Sequence, residues 1–134
     1  MKHFIIKTEP SEYSIHDLAR EDVAPWDGVY NYQAMNHIKT WQPGDVVYLY
    51  HSGQKCIVGK AEVVSEPMKD TSSERESWVA NIKHRETFPK EQQISLTTIK
   101  QEPIMQDSRL VRQARLSVIP CTAEHVAWIE SQIR

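Results

Sequence analysis

Trp26-Asp27-Gly28-Val29-Tyr30-Asn31-Tyr32-Gln33-Ala34 places aromatic rings, a turn glycine and two side-chain amides in nine residues. A flat indole face beside amides that both donate and accept is the chemistry needed to hold a planar heterocycle. Asp27-Gly28 is a turn signal, because glycine tolerates positive φ, and Asn31 is placed to cap the helical pattern that follows. The same residues also suit a core tryptophan beside an ordinary capped helix, so the rest of the chain has to decide between the two.

Two further groups invite a chemical reading. His51-Ser52 closes an apolar run, where a nucleophile and base would stand, but a rim pair that satisfies strand-end backbone groups is the simpler expectation. Arg109, Arg112 and Arg115 recur every three residues and on helical spacing would form one basic edge, suited either to phosphate or to plain solvation.

The elements that must position these groups follow from periodicity. His3–Lys7 reads as a first strand, interior to a sheet, and 8–14 as a turn in which Pro10 biases Glu9 away from the α region. Ser14 with Asp17 forms a capping box for a short helix over 15–20. Asp22–Pro25 reads as a connector into the Trp26 stretch. Tyr32, Met35, Ile38 and Trp41 form one buried stripe of a second helix.

Val46–Tyr50 and Cys56–Val64 read as a hairpin, with Gly59 where a bulge or a close backbone approach would bend the sheet. Glu66–Glu76 reads as a surface loop, 78–84 as a half-buried strand, and 95–101 as a short helix. Leu116–Ile119 reads as a last strand stopped by Pro120, before a helix capped by Thr122 that turns Val126, Ile129 and Ile133 inward. Short strands joined by tight turns imply a small barrel.

Composition narrows the class. The 134 residues suit one domain with a real core, and 40% hydrophobic with 25% charged residues argues against wholesale disorder. A net charge of −2 argues against a protein that coats nucleic acid through bulk electrostatics. Cys56 and Cys121 lack metal or disulfide spacing and read as small buried residues of a reducing cytosol or nucleus. The opening residues do not make a signal peptide, and no apolar run approaches membrane length, so a soluble intracellular protein is expected.

Four ordered motifs then point one way. They are Ile6-Lys7-Thr8-Glu9-Pro10 with Tyr13-Ser14; Trp26 to Val29 with Asn31 to Ala34; Gly44-Asp45 before Tyr50-His51-Ser52; and Leu110 to Gln113 with Arg115 to Val118. Together they span essentially the whole chain, 1–134, which resembles the EVE domain family. The resemblance implies an α+β, PUA-like fold, a small β-barrel flanked by short helices and related to the YTH readers of methylated adenine. It also implies a non-enzymatic reader of a modified base, chiefly a modified cytosine in DNA or RNA, flipped into an aromatic pocket, with no metal, cofactor or membrane involved.

By that analogy Trp26 is a wall of the cage and Trp78 a second wall, while Asn31 and the backbone near Ser52 meet the base edge. Lys7, with Arg112 or Arg115, approaches flanking phosphates. Tyr32 joins the ligand-binding candidates as part of the same motif, although its residue type equally suits core or rim, as does that of Tyr50. The sequence departs from the family at Tyr30 and Met35, where arginines are common, which removes two potential phosphate contacts. The rival expectation is an amidohydrolase like some of the related ASCH domains, which share the fold and act on acylated cytidine through Lys, Thr and Glu. Lys7, Thr8 and Glu9 are consecutive, and strand alternation argues against their convergence.

Overall fold

The computed structural model describes residues 1–134 apart from Ser73, which belongs to the expected loop 66–76 and lies outside the described residues. Strand β1 (His3–Thr8) pairs parallel with β3 (Val46–His51) and antiparallel with β8 (Val118–Cys121). Strand β3 pairs with β4 (Cys56–Val63), β4 with β6 (Trp78–Thr87), and β6 with β2 (Val23–Trp26). The sheet order is therefore β2-β6-β4-β3-β1-β8, with the two-residue strands β5 (Met68–Lys69) on β6 and β7 (Ile94–Ser95) on β4. This is the expected α+β, PUA-like architecture, with the sheet left open between β2 and β8.

The helices are short: α1 (Ile15–Glu21), α2 (Tyr32–Ile38), α3 (Leu96–Gln101), α4 (Arg109–Arg112) and α5 (Ala123–Gln132). Seven-residue helices are marginal alone, so capping and packing hold them. In α1 the Ser14 hydroxyl accepts the Asp17 amide and the Asp17 carboxylate accepts the Ser14 amide, the expected box. Asn31 caps α2, its side-chain oxygen accepting from the Ala34 amide at 3.0 Å. Helix α5 turns Ile129 and Ile133 into the core and meets β3 and β4 through Glu130, which accepts from the Tyr48 hydroxyl and pairs with Lys60.

Four expectations need correction. The connector 22–25 contains β2, an edge strand whose Pro25 is tolerated because an edge leaves one side of the ladder without a required donor. Strand β8 runs through Pro120 to Cys121 for the same reason, at the opposite edge. Met35, Ile38 and Trp41 are buried, but Tyr32, first residue of α2, is 70% exposed and off the stripe. Arg109 and Arg112 lie on a helix of only four residues, and Arg115 falls beyond it, so the three arginines do not share one helical edge.

Gly59 behaves as a close-approach position. A β-carbon there would stand 2.5 Å from Ile15 Cδ1 and 2.7 Å from the Glu86 carbonyl, and both ladders of β4 shift register next to it. The missing side chain lets α1 pack directly on the bent sheet. Gly59→Ala is expected to lower the unfolding free energy by about 1–3 kcal/mol in urea titration, the usual cost of overpacking a rigid contact. An unchanged midpoint would show that Ile15 can withdraw.

Candidate functional site

A cavity of about 560 Å³ opens between the end of β1, helix α1, strand β2 and the turn that leads into α2. That volume lies within the roughly 300–1,000 Å³ of small-molecule pockets. Its apolar wall is Trp26, Tyr13, Val29 and Tyr30, with Ala24 and Pro25 behind. The Tyr13 and Trp26 rings meet edge to face, centroids 6.2 Å apart at 70°, and form an aromatic corner. Trp26 is only 8% exposed, so one surface packs in the core while another lines the cavity.

Backbone geometry sets this corner. Thr8 ends β1, and the Glu12 and Tyr13 amides both donate to the Glu9 carbonyl, which winds the chain into a tight turn after Pro10. The Thr8 hydroxyl donates to the Tyr13 carbonyl at 2.7 Å and pins the turn to the strand. Opposite, Gly28 adopts φ +72°, and the chain reverses between β2 and α2 as the Asp-Gly signal requires.

The polar lining is mainly acidic: Glu9, Glu12, Glu21 and Asp27, with Thr8, Ser117 and a single cation, Lys7. The Lys7 ammonium donates to the Ala114 carbonyl at 2.6 Å and lies over the Tyr50 ring, and burial holds its pKa below the usual lysine value. The Tyr13 hydroxyl is sealed from solvent, and its one hydrogen-bonding neighbour is the Glu21 carboxylate, out of ideal alignment. Burial first, and the Glu21 carboxylate second, push its pKa up to about 12.

The structure gathers some sequence-predicted residues here and disperses others. Trp26 and Lys7 line the cavity. Asn31 and Arg115 line a separate neighbouring depression with Gln33 and Gln113. Those two glutamines exchange reciprocal amide hydrogen bonds at 3.1 Å, which tie the loop carrying Ala114 and Ser117 to α2. Ser52 stands behind Glu9, its hydroxyl 3.4 Å from that carboxylate. Trp78 packs against the core, with the Lys39 ammonium 5.2 Å from its ring centre. Arg112 donates to the Gln106 carbonyl beside a third depression that contains His125. Tyr32 points outward from the lip of α2.

His51 and Ser52 take the structural role expected of them. His51 is enclosed, with Nε2 accepting the Ile15 amide at 3.0 Å and Nδ1 against Gln54 Oε1 at 2.7 Å, which fixes the proton on Nδ1. The alternation argument about Lys7, Thr8 and Glu9 concerns their functional groups, and the Lys7 ammonium and Thr8 hydroxyl bond to different carbonyls, those of Ala114 and Tyr13. The strand ends at Thr8, and all three residues line the one cavity. Two residues were missed altogether as site residues. Tyr13 is marked only by its place in a motif. Arg75 lies with its guanidinium 4.6 Å from the centre of the Tyr30 ring, whose residue lines the cavity.

The whole-chain pattern has a counterpart among known proteins: residues 2–132 match the EVE domain model. The chain belongs to the EVE domain family. Human thymocyte nuclear protein 1 is 33% identical over 81 residues, a stretch that takes in 51% of this chain and 36% of the human protein, so the chain matches about a third of that relative's length. A Pseudomonas putida protein of known structure is 32% identical with a TM-score of 0.88, covering 98% of this chain and 99% of that one. The structure of human thymocyte nuclear protein 1 in complex with 5-methylcytosine-containing DNA has a TM-score of 0.86 at 23% identity, covering 100% of this chain and 99% of that one.

A buried hydroxyl whose one partner is poorly aligned contributes little to stability. Tyr13→Phe is therefore expected to leave the unfolding free energy unchanged or raise it by up to about 1 kcal/mol in urea titration. A loss above that size would show that the hydroxyl is firmly bonded in the folded chain.

Proposed function

We propose that this EVE domain is a non-enzymatic module that takes a modified base, a modified cytosine of DNA or RNA, out of its strand and into the cavity cornered by Trp26 and Tyr13. The observation that carries this reading is the edge-to-face pair lining a pocket-sized cavity rimmed by hydrogen-bond acceptors. A base inserted there has an indole and a phenol ring to stack on, and carboxylates to accept from its exocyclic amine. The human relative bound to 5-methylcytosine-containing DNA supports the same ligand class.

Magnitudes set the mode of binding. Stacking on an aromatic side chain contributes ~1–3 kcal/mol and a buried methyl about 0.8 kcal/mol, while extrusion of a base costs a few kcal/mol. The domain alone therefore binds weakly, and best where the base is already unpaired. Few cations support a long duplex: Lys7 is committed to Ala114, and Arg115 stands at the neighbouring depression rather than in the cavity. Asn31, Ser52, Tyr32, Trp78 and Arg112 lie outside the cavity and act, on this reading, on the surrounding strand or on the fold.

The shared position of Lys7, Thr8 and Glu9 in the cavity lining keeps one second reading in view, hydrolysis of an acylated cytidine. It ranks below because the Lys7 ammonium and the Thr8 hydroxyl both donate to backbone carbonyls, which occupies the groups a hydrolase needs free. Release of free acid from N4-acetylcytidine by the wild-type chain would promote it.

Trp26→Ala is expected to weaken binding of a fluorescein-labelled single strand containing one 5-methylcytosine by roughly 5–100-fold in anisotropy, the range that corresponds to one lost stacking contact. Circular dichroism checks that the fold survives. Unchanged affinity in a folded variant would place the base elsewhere.

A further inference from the structure

We infer that the depression beside the cavity receives the nucleotide adjacent to the extruded base and prefers guanine over adenine there. This rests on the base-pocket reading above and adds a sequence context to it. The depression encloses about 300 Å³ and shares a ridge with the cavity. Tyr30 and Ser117 line the cavity, while their chain neighbours Asn31 and Leu116 line the depression. Lys7 joins the two, its ammonium donating from the cavity lining to the carbonyl of Ala114 in the depression at 2.6 Å. A strand whose base turns into the cavity therefore carries its neighbouring nucleotide over the depression.

Which purine fits there follows from the hydrogen-bonding capacity that the side chains have left. Gln33 and Gln113 each spend one N–H and one lone pair on the other, and Gln113 Oε1 accepts a second bond from Arg109 Nη1 at 2.5 Å, which fills that oxygen. Asn31 gives its side-chain oxygen to the Ala34 amide and keeps its NH2 group to donate. Arg112 is held by the Gln106 carbonyl, but Arg115 is exposed and makes no ion pair or side-chain hydrogen bond among the described residues. The side chains of the depression thus offer N–H donors, and one spare lone pair on Gln33 Oε1 against them.

Donors in that excess match an edge made of acceptors. The O6 and N7 of guanine are two adjacent acceptors, which a guanidinium meets with two parallel N–H bonds, whereas adenine puts an amino group in place of O6 and would face donors with a donor. Arg115 is the side chain that makes this contact, with the remaining amide N–H groups beside it.

Fluorescence anisotropy at fixed salt would compare thymine single strands that hold one 5-methylcytosine and, on its 5′ or its 3′ side, guanine, adenine or 7-deazaguanine, which lacks N7. With guanine on one of the two sides the strand is expected to bind at least about fivefold more tightly than with adenine, and 7-deazaguanine is expected to lose most of that gain. In Arg115→Gln the guanine and adenine strands are expected to bind within about twofold of each other, because loss of a base-edge contact relaxes specificity, whereas loss of a phosphate contact weakens every strand alike. Equal binding of guanine and adenine strands by wild type, a preference that 7-deazaguanine retains in full, or an Arg115→Gln variant that keeps the preference would overturn the inference and leave the base pocket standing. An abasic site in place of 5-methylcytosine separates the two readings. It is expected to cost most of the affinity, and unchanged affinity would remove the base pocket and this inference with it.

Discussion

His51, enclosed at the end of β3, accepts the Ile15 amide and so fixes how α1 leaves the sheet. Everything about the cavity depends on that angle. The turn before α1 is closed by the Glu9 carbonyl and pinned by the Thr8 hydroxyl, and from it the Tyr13 ring meets Trp26. Gly59 makes the arrangement possible from below, since only a residue without a side chain lets Ile15 lie against the bend of β4. A backbone hydrogen bond, a side-chain pin and an absent β-carbon thus combine to hold two rings edge to face, at 70°, beside a space large enough for a heterocycle.

The electrostatic plan differs from that of proteins that grip nucleic acid along its backbone. Four carboxylates border the cavity, three of them at exposed positions, and its one lining cation, Lys7, is bonded to a backbone carbonyl. Phosphate contacts set register and affinity, whereas groups that face the base set identity. On the base-pocket reading proposed above, a chain of net charge −2 with an acidic pocket would put its discrimination into the base and little of its affinity into the strand.

Much of the scaffold was legible because it depends on local rules. The capping boxes, the Asp-Gly turn, the β-branched strands and the close approach at Gly59 all follow from residue type and spacing, and the EVE resemblance followed from motif order. What local rules did not reveal is pairing in space. β2 carries a proline and spans four residues, too short for alternation to show, so an edge strand read as a connector. Tyr13 lay in a turn, and nothing in the sequence shows that its ring meets Trp26 thirteen positions later. The Arg75 contact with Tyr30 is similarly non-local, and the dispersal of Asn31, Arg112 and Arg115 over separate depressions arises from the loop geometry around α4.

The central claim is that a base enters the corner between Trp26 and Tyr13. It is tested most directly by intermolecular nuclear Overhauser contacts between the protein and a single-stranded oligonucleotide with one 5-methylcytosine, read from the methyl protons of that base. The account predicts contacts to the ring protons of Trp26 and Tyr13, and none to Gln33 or Gln113. A bound complex whose methyl contacts fall in the depression of Gln33 and Gln113, with the Trp26 and Tyr13 rings silent, would contradict it.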